Sequence, residues 1–239
     1  MSAMICSRSS ESGKQARYGE GMIALKFLAR GAVGPFTGFV WPSPAGSTAG
    51  AWVESPPERF PERGIHACLV EHLPYWTDDE LWEVELSDEK ILRSAMQIVA
   101  SRGRLVERVA AWTPRLAQEF GQACALKARD RAVELMKQGT RLAEAEQLFA
   151  CRSIAELERV ARPMSALSKT DSLSNIAGYV ADAATFARIS DVATASYIAA
   201  ELARVTSGSM QGFLLERSWQ GRWIADRLRL AHGSPHVSV

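Results

Sequence analysis

The sequence predicts an α+β chain, with a small β-rich aromatic domain over 22–112 and an all-α bundle over 113–231. Three observations predict it. Glycines and prolines from Gly31 to Gly64 interrupt the chain too often for any long helix. Five of the seven tryptophans fall between Trp41 and Trp112, as expected of short strands that bury little area per residue and need large rings to fill a core. Beyond Trp112 the character changes: Thr113-Pro114 opens a proline-free run to Gln138, and alanine-rich segments of helical period follow.

The first 21 residues are polar, small and without period, and are read as a disordered arm; translation starting at Met22 is the alternative. Met22–Arg30 opens with an apolar run read as a strand. Pro42–Gly50 is a surface loop, Ala51–Glu54 a short strand carrying Trp52, and Ser55–Gly64 a second, proline-rich loop. Gly64–Leu86 organises this half. It reads as a strand (Gly64–Cys68), a compact aromatic turn (Glu71–Trp76) and a second strand (Glu80–Leu86). In that second strand Trp82, Val84 and Leu86 share one face, while Leu81, Glu83 and Glu85 share the other, which is the period of a half-buried strand. Lys90–Leu92, Met96–Ala100 and Leu105–Val109 are further short runs, the last equally compatible with helix.

In the C-terminal half, Thr113 caps a helix that Gly139 stops. Ser153 and Glu156 form a capping box, with Pro163 ending that helix. Ser172–Ile189 and Asp191–Thr206 carry alanine at facing positions and are expected to pack as a tight antiparallel hairpin. Met210–Leu230 carries two apolar stripes, Leu215-Trp219-Trp223 and Phe213-Ile224-Leu228, and so should contact two neighbours. Residues 232–239 read as a flexible tail. Five or six helices are expected.

Composition narrows the function. Of 239 residues, 47% are apolar and 23% charged, with a net charge of +1, so there is no electrostatic case for nucleic acid or an anionic membrane as main partner. No apolar run approaches the roughly 20 residues of a membrane helix. The four cysteines are widely spaced without a CxxC pair, which fits reduced thiols in a cytoplasmic protein.

The sharpest chemical constellation is His66, Cys68 and His72. His66 and Cys68 share a strand face and could bind zinc with His72 and Asp78 or Asp79. A structural site needs about four ligands, so no metal and no cofactor are expected. Cys68 with a histidine base is a second reading. Glu83 and Glu85, paired on one face, are a third, since same-face carboxylates can share acid–base work. Against all three stands a plain core role, with His66 and Cys68 buried beneath the aromatic turn. Phe36, Trp41, Tyr75 and Trp76 are candidate walls of a ligand pocket, and Trp219 and Trp223 candidate protein-binding residues.

Two resemblances add to this. FLARGAVGPFTGFVWP, GIHACLVEHLPYWTDDELWEVEL and IVASRGRLVERVAAW together resemble a family of actinobacterial proteins of unknown function, and the GIHAC element is similar to a wider bacterial and phage domain. They cover about Met22–Trp112 and imply no activity. LLERSWQGRWIADRL is similar to the closing helix of a helical domain in bacterial immunity proteins, through Glu216, Arg217, Trp219 and Gln220. That resemblance implies a protein that binds another protein. The expected function is thus a non-enzymatic, cytoplasmic binding protein, immunity- or defence-related. The alternative is an enzyme or small-molecule-binding protein with a pocket at the seam of the two domains.

Overall fold

The computed structural model of the chain describes residues 21–87, 90–166 and 172–230, so the expected N-terminal arm and C-terminal tail lie outside the described residues. An antiparallel β region precedes a helical one, as the composition shift at Trp112 requires. The chain divides into two compact units, a β unit of residues 21–69 and 79–110 and a helical unit of 70–78 and 111–230.

Among the described residues the β unit holds seven strands: β1 (Met22–Leu28), β2 (Val53–Glu54), β3 (Ile65–Ala67), β4 (Glu80–Leu86), β5 (Ile91–Arg93), β6 (Ile98–Ala100) and β7 (Arg102–Arg108). They form a four-stranded sheet in the order β1-β4-β7-β2 and a three-stranded sheet in the order β3-β6-β5, antiparallel throughout. Only Ser101 separates β6 from β7, so one stretch of chain serves both sheets. The bridge Leu25–Cys68, with a hydrogen bond in each direction, stitches β1 to the residue after β3. The core lies between the sheets: Ala24, Leu28, Val84, Leu86 and Leu105 from one meet Ile65, Ala67, Ile98 and Ala100 from the other, with Trp41 and Trp82 filling the space between. A register shift at Glu83/Val84 leaves Val106 without a partner on β4, which sets Leu105 and Gly103 opposite Val84 and Leu86. The run 105–109, open to either reading in the sequence, is strand because this pairing covers its backbone.

Among the described residues the helical unit has six helices: α1 (Pro114–Gln138), α2 (Leu142–Ala150), α3 (Ile154–Ala166), α4 (Ser172–Arg188), α5 (Val192–Ser207) and α6 (Met210–Leu228). Thr113 caps α1 by accepting from the Leu116 N–H at 3.1 Å. Gly139 follows its last residue, while the left-handed residue is Thr140, at φ +63°. The capping box at α3 forms in both directions, Ser153 Oγ accepting from Glu156 and Glu156 Oε2 from Ser153. Pro163 does not end α3, contrary to expectation. The helix runs three residues further, with Met164 buried beyond the proline.

Two other expectations change. The excursion Val70–Asp78, read as part of the β-rich domain, belongs with the helices. It is a short 3₁₀ segment (Val70–Tyr75) whose Leu73 and Pro74 are buried, and its end is fixed by Trp112 Nε1 donating to Asp78 O at 2.9 Å. The helical period of α5 puts Val192, Ala195, Ile198, Ala199, Leu202 and Val205 on one buried stripe, but Val205 is exposed. The alanines behave as expected: Ala177, Ala184, Ala195, Ala199 and Ala203 are all buried, and α4 and α5 are joined by a three-residue turn.

Candidate functional site

The last helix is built the wrong way round for an ordinary amphipathic helix. Its buried face carries Glu216, Arg217 and Gln220 beside Gly212, Gly221, Ile224, Ala225 and Leu228, while Met210, Leu214 and Leu215 are exposed. Burying three polar side chains is costly unless each finds partners. Gly212 and Gly221 make that feasible by letting backbone approach backbone. A Cβ on Gly212 would stand 2.4 Å from Ala203 O on α5. One on Gly221 would stand 3.0 Å from Glu71 O.

Arg217 is the centre of this arrangement. Nη1 donates to Gln220 Oε1 (2.9 Å), Ser196 Oγ (3.1 Å) and Pro74 O (3.2 Å), tying α6 to α5 and to the 70–78 excursion. Gln220 Nε2 completes the lock on Ser196 O at 2.8 Å. The guanidinium carbon lies 5.0 Å from the ring centroid of Tyr75, 5.3 Å from Phe213 and 5.6 Å from Tyr197, so three aromatic rings surround one cation. No carboxylate pairs with Arg217 among the described residues, and its Nε is buried without a hydrogen-bond partner. Burial pulls the Arg217 pKa below its ordinary value, opposed by Tyr75, Cys124, Tyr197 and Glu216. Burial likewise raises the Tyr75 phenol, and the Arg217 charge works against that rise.

The neighbouring Glu216 belongs to a separate, neutralised cluster. Its Oε2 meets Lys127 Nζ at 3.1 Å and Arg131 Nη2 at 3.5 Å on α1. Lys127 also sits 3.8 Å from the ring centroid of Trp219. Trp223 packs on Phe120 with ring centroids 5.4 Å apart, and the Arg227 guanidinium lies 4.8 Å from the Trp223 centroid. Trp219 and Trp223 are therefore half-buried against α1 within their own unit. The aromatic surface lies elsewhere. Met210, Phe213, Leu214 and Arg217 follow the i, i+3, i+4, i+7 spacing of one helix face. Phe213 touches the half-exposed Tyr197 ring at 6.0 Å and the Tyr75 ring at 6.5 Å. With Met210 59% and Leu214 48% exposed, the result is an apolar, aromatic patch around a buried cation. The spacing was present in the sequence. Nothing in the sequence marks these side chains, rather than the Trp219–Trp223 stripe, as the exposed ones.

The other candidate residues are dispersed. Phe36 is 86% exposed and Trp41 is in the β core, while Tyr75 and Trp76 belong to the helical unit. His66 is only half-buried, contrary to the expected burial. It hydrogen-bonds through Nδ1 to Gln97 Oε1 at 3.0 Å rather than to backbone. It lines an open groove of about 460 Å³ with Glu62, Leu92, Arg93, Ser94 and Gln97, which Cys68 does not line. Cys68 is buried, as expected. His72 is in the helical unit, with Nδ1 buried and without a hydrogen-bond partner. Among the described residues no group of three His, Cys, Asp or Glu is placed to hold a metal ion.

Glu85 is buried rather than solvated, and its Oε2 accepts from Arg104 Nε and Nη2, both at 2.7 Å. A carboxylate spent in that way is not available as a base. Glu83 stands opposite Glu107 across the strand pair. The carboxylate that does structural work is Glu80, which accepts from the Gly31 and Ala32 N–H groups and from Trp82 Nε1. Burial raises its pKa, but these hydrogen bonds and Arg108 outweigh that and hold it below the ordinary range. Compared with protein-family models, with curated proteins and with solved structures, the chain matches none.

Proposed function

We propose that the protein is a binding protein whose helical unit engages another protein through the face formed by Met210, Phe213, Leu214 and Tyr197. The observation that carries this reading is the exposure of large apolar and aromatic side chains on adjoining helices around a buried arginine that no carboxylate among the described residues pairs with. Protein interfaces are enriched in tyrosine, phenylalanine, methionine and arginine, and a patch of such residues on a folded chain marks interaction surfaces. The similarity of LLERSWQGRW to the closing helix of immunity-protein domains supports the same class. In this chain that motif forms the internal lock beneath the face, so partner choice would rest on the rim residues. No helix among the described residues is long and apolar enough to cross a membrane, so the patch is not part of a membrane helix.

The test is quantitative affinity capture from bacterial lysate, with the full chain as bait and the Met210→Asp/Leu214→Asp double variant as control. The reading expects a stoichiometric protein on the wild-type bait that falls by roughly tenfold or more on the variant, equivalent to losing one contact hot spot. Equal capture by both baits would remove this face from the function.

A further inference from the structure

Strand β1 contains a residue that its own pattern forbids. Met22, Ala24 and Leu28 point into the β core, and by the period of a strand Lys26 points with them. Its cross-strand partner is Trp82, itself a core residue. The side chain reaches Trp41, whose ring centroid is 5.2 Å from Nζ, and Nζ donates to the backbone carbonyl of His66 at 2.5 Å. Among the described residues no carboxylate pairs with it. The other described lysines differ: Lys127 pairs with Glu216, Lys137 pairs with Glu134, and Lys90 is on the surface. Lys26 is nevertheless not sealed, since the residue is only partly buried.

We propose that Lys26 is a modification site that accepts an acyl group from an activated donor, an acyl phosphate or a thioester. The amine lone pair attacks the donor carbonyl carbon and the N–C bond forms. The C–O or C–S bond breaks, phosphate or thiol leaves with the electron pair, and the amine gives up a proton to solvent. Two features of the site favour this product. A core that holds an ammonium without a paired carboxylate among the described residues favours the neutral amine, which is the nucleophile, and burial lowers the Lys26 pKa to about 8, the nearby Cys68 working in the opposite direction. The amide that results carries no charge and keeps one N–H, enough to retain the hydrogen bond to His66 O.

The experiment treats the native full-length chain at pH 8 with acetyl phosphate in one arm and an S-acetyl thioester in the other. Occupancy at each lysine is followed by peptide mass spectrometry, with a parallel set in urea. The expected result is acetylation of Lys26 roughly tenfold faster than of Lys90 and Lys137 in at least one arm, as a lysine with a larger neutral fraction requires. That preference should vanish in urea. The arm that reacts assigns the donor class. Lys26 lagging behind the surface lysines in both arms, or a preference that persists in urea, would overturn the proposal.

Discussion

At the scale of single residues, the β unit turns on charged groups placed where its strand pattern calls for apolar ones. Glu80 is buried but satisfied, three donors and Arg108 holding it ionised. Lys26 is the opposite case, with one acceptor and an aromatic ring in place of a counter-ion. Its pKa falls from 10.5 unfolded to about 8 folded, so between those values the unfolded chain binds more protons than the folded one. Stability therefore rises with pH across that window, and the stabilisation is lost as pH falls through 8. Lys26→Met should flatten the slope of unfolding free energy between pH 8 and 10.5. At pH 7 it should raise stability by roughly 1–3 kcal/mol, less than the full shift because the side chain is partly solvated. Urea midpoints across pH 7–10.5 check this, and an unchanged slope would mean that the ammonium is solvated in the folded state. The extent of β4 was legible in the sequence, but its half-buried alternation was not borne out: Leu81 and Glu85 are buried on one face, as Glu80, Trp82, Val84 and Leu86 are on the other. Whether an outward carboxylate meets water or an arginine depends on which strand lies beside it. That neighbour, β7, arrives from about twenty residues away in the chain.

At the scale of elements, the helices were the most legible part, because their signals are local. Thr113, Ser153 with Glu156, and the Asp191 side chain that accepts from Thr194 N–H each mark a start within a few residues. Pro163 misled because a proline late in a helix removes one hydrogen bond without removing the packing that holds the last turn. The closing helix misled more deeply. Hydrophobicity picks out Trp219 and Trp223 as candidate protein-binding residues and gives no reason to expect Glu216, Arg217 and Gln220 on the buried face. The two glycines bring Ala203 O and Glu71 O close to the helix, and there Arg217 and Gln220 find partners in Pro74 O, Ser196 and each other, while Glu216 reaches Lys127 and Arg131 on α1. Gly212→Ala puts a methyl against Ala203 O, a backbone atom that cannot swing aside, and should destabilise the chain by roughly 1–3 kcal/mol. Thermal or urea unfolding of that single variant measures it. A loss below about 0.5 kcal/mol would mean that α5 and α6 part readily, and that the polar lock is weaker than its geometry implies.

At the scale of the whole molecule, the sequence conveyed the class and the change of character near Trp112, within two residues of where the units divide at Ala110. It did not convey that residues 70–78 leave the β unit to become part of the helical one. The reason is physical: Leu73, Pro74 and Tyr75 look like any aromatic turn until Arg217, 143 positions away from Pro74, supplies the donor for its carbonyl. The candidate site was less legible still, since it combines that excursion with α5 and α6, while the seam-pocket residues Phe36, Trp41, Tyr75 and Trp76 are divided between the units. The proposed function requires the Met210–Leu214 face to be surface kept for a partner and not a piece of core. The most direct test is the urea unfolding midpoint of the full-length Met210→Asp/Leu214→Asp variant beside wild type. Unfolding free energies that agree to within about 0.5 kcal/mol are expected, as for exposed positions. A loss on the order of 2 kcal/mol or more, the cost of putting charge into buried apolar packing, would contradict it.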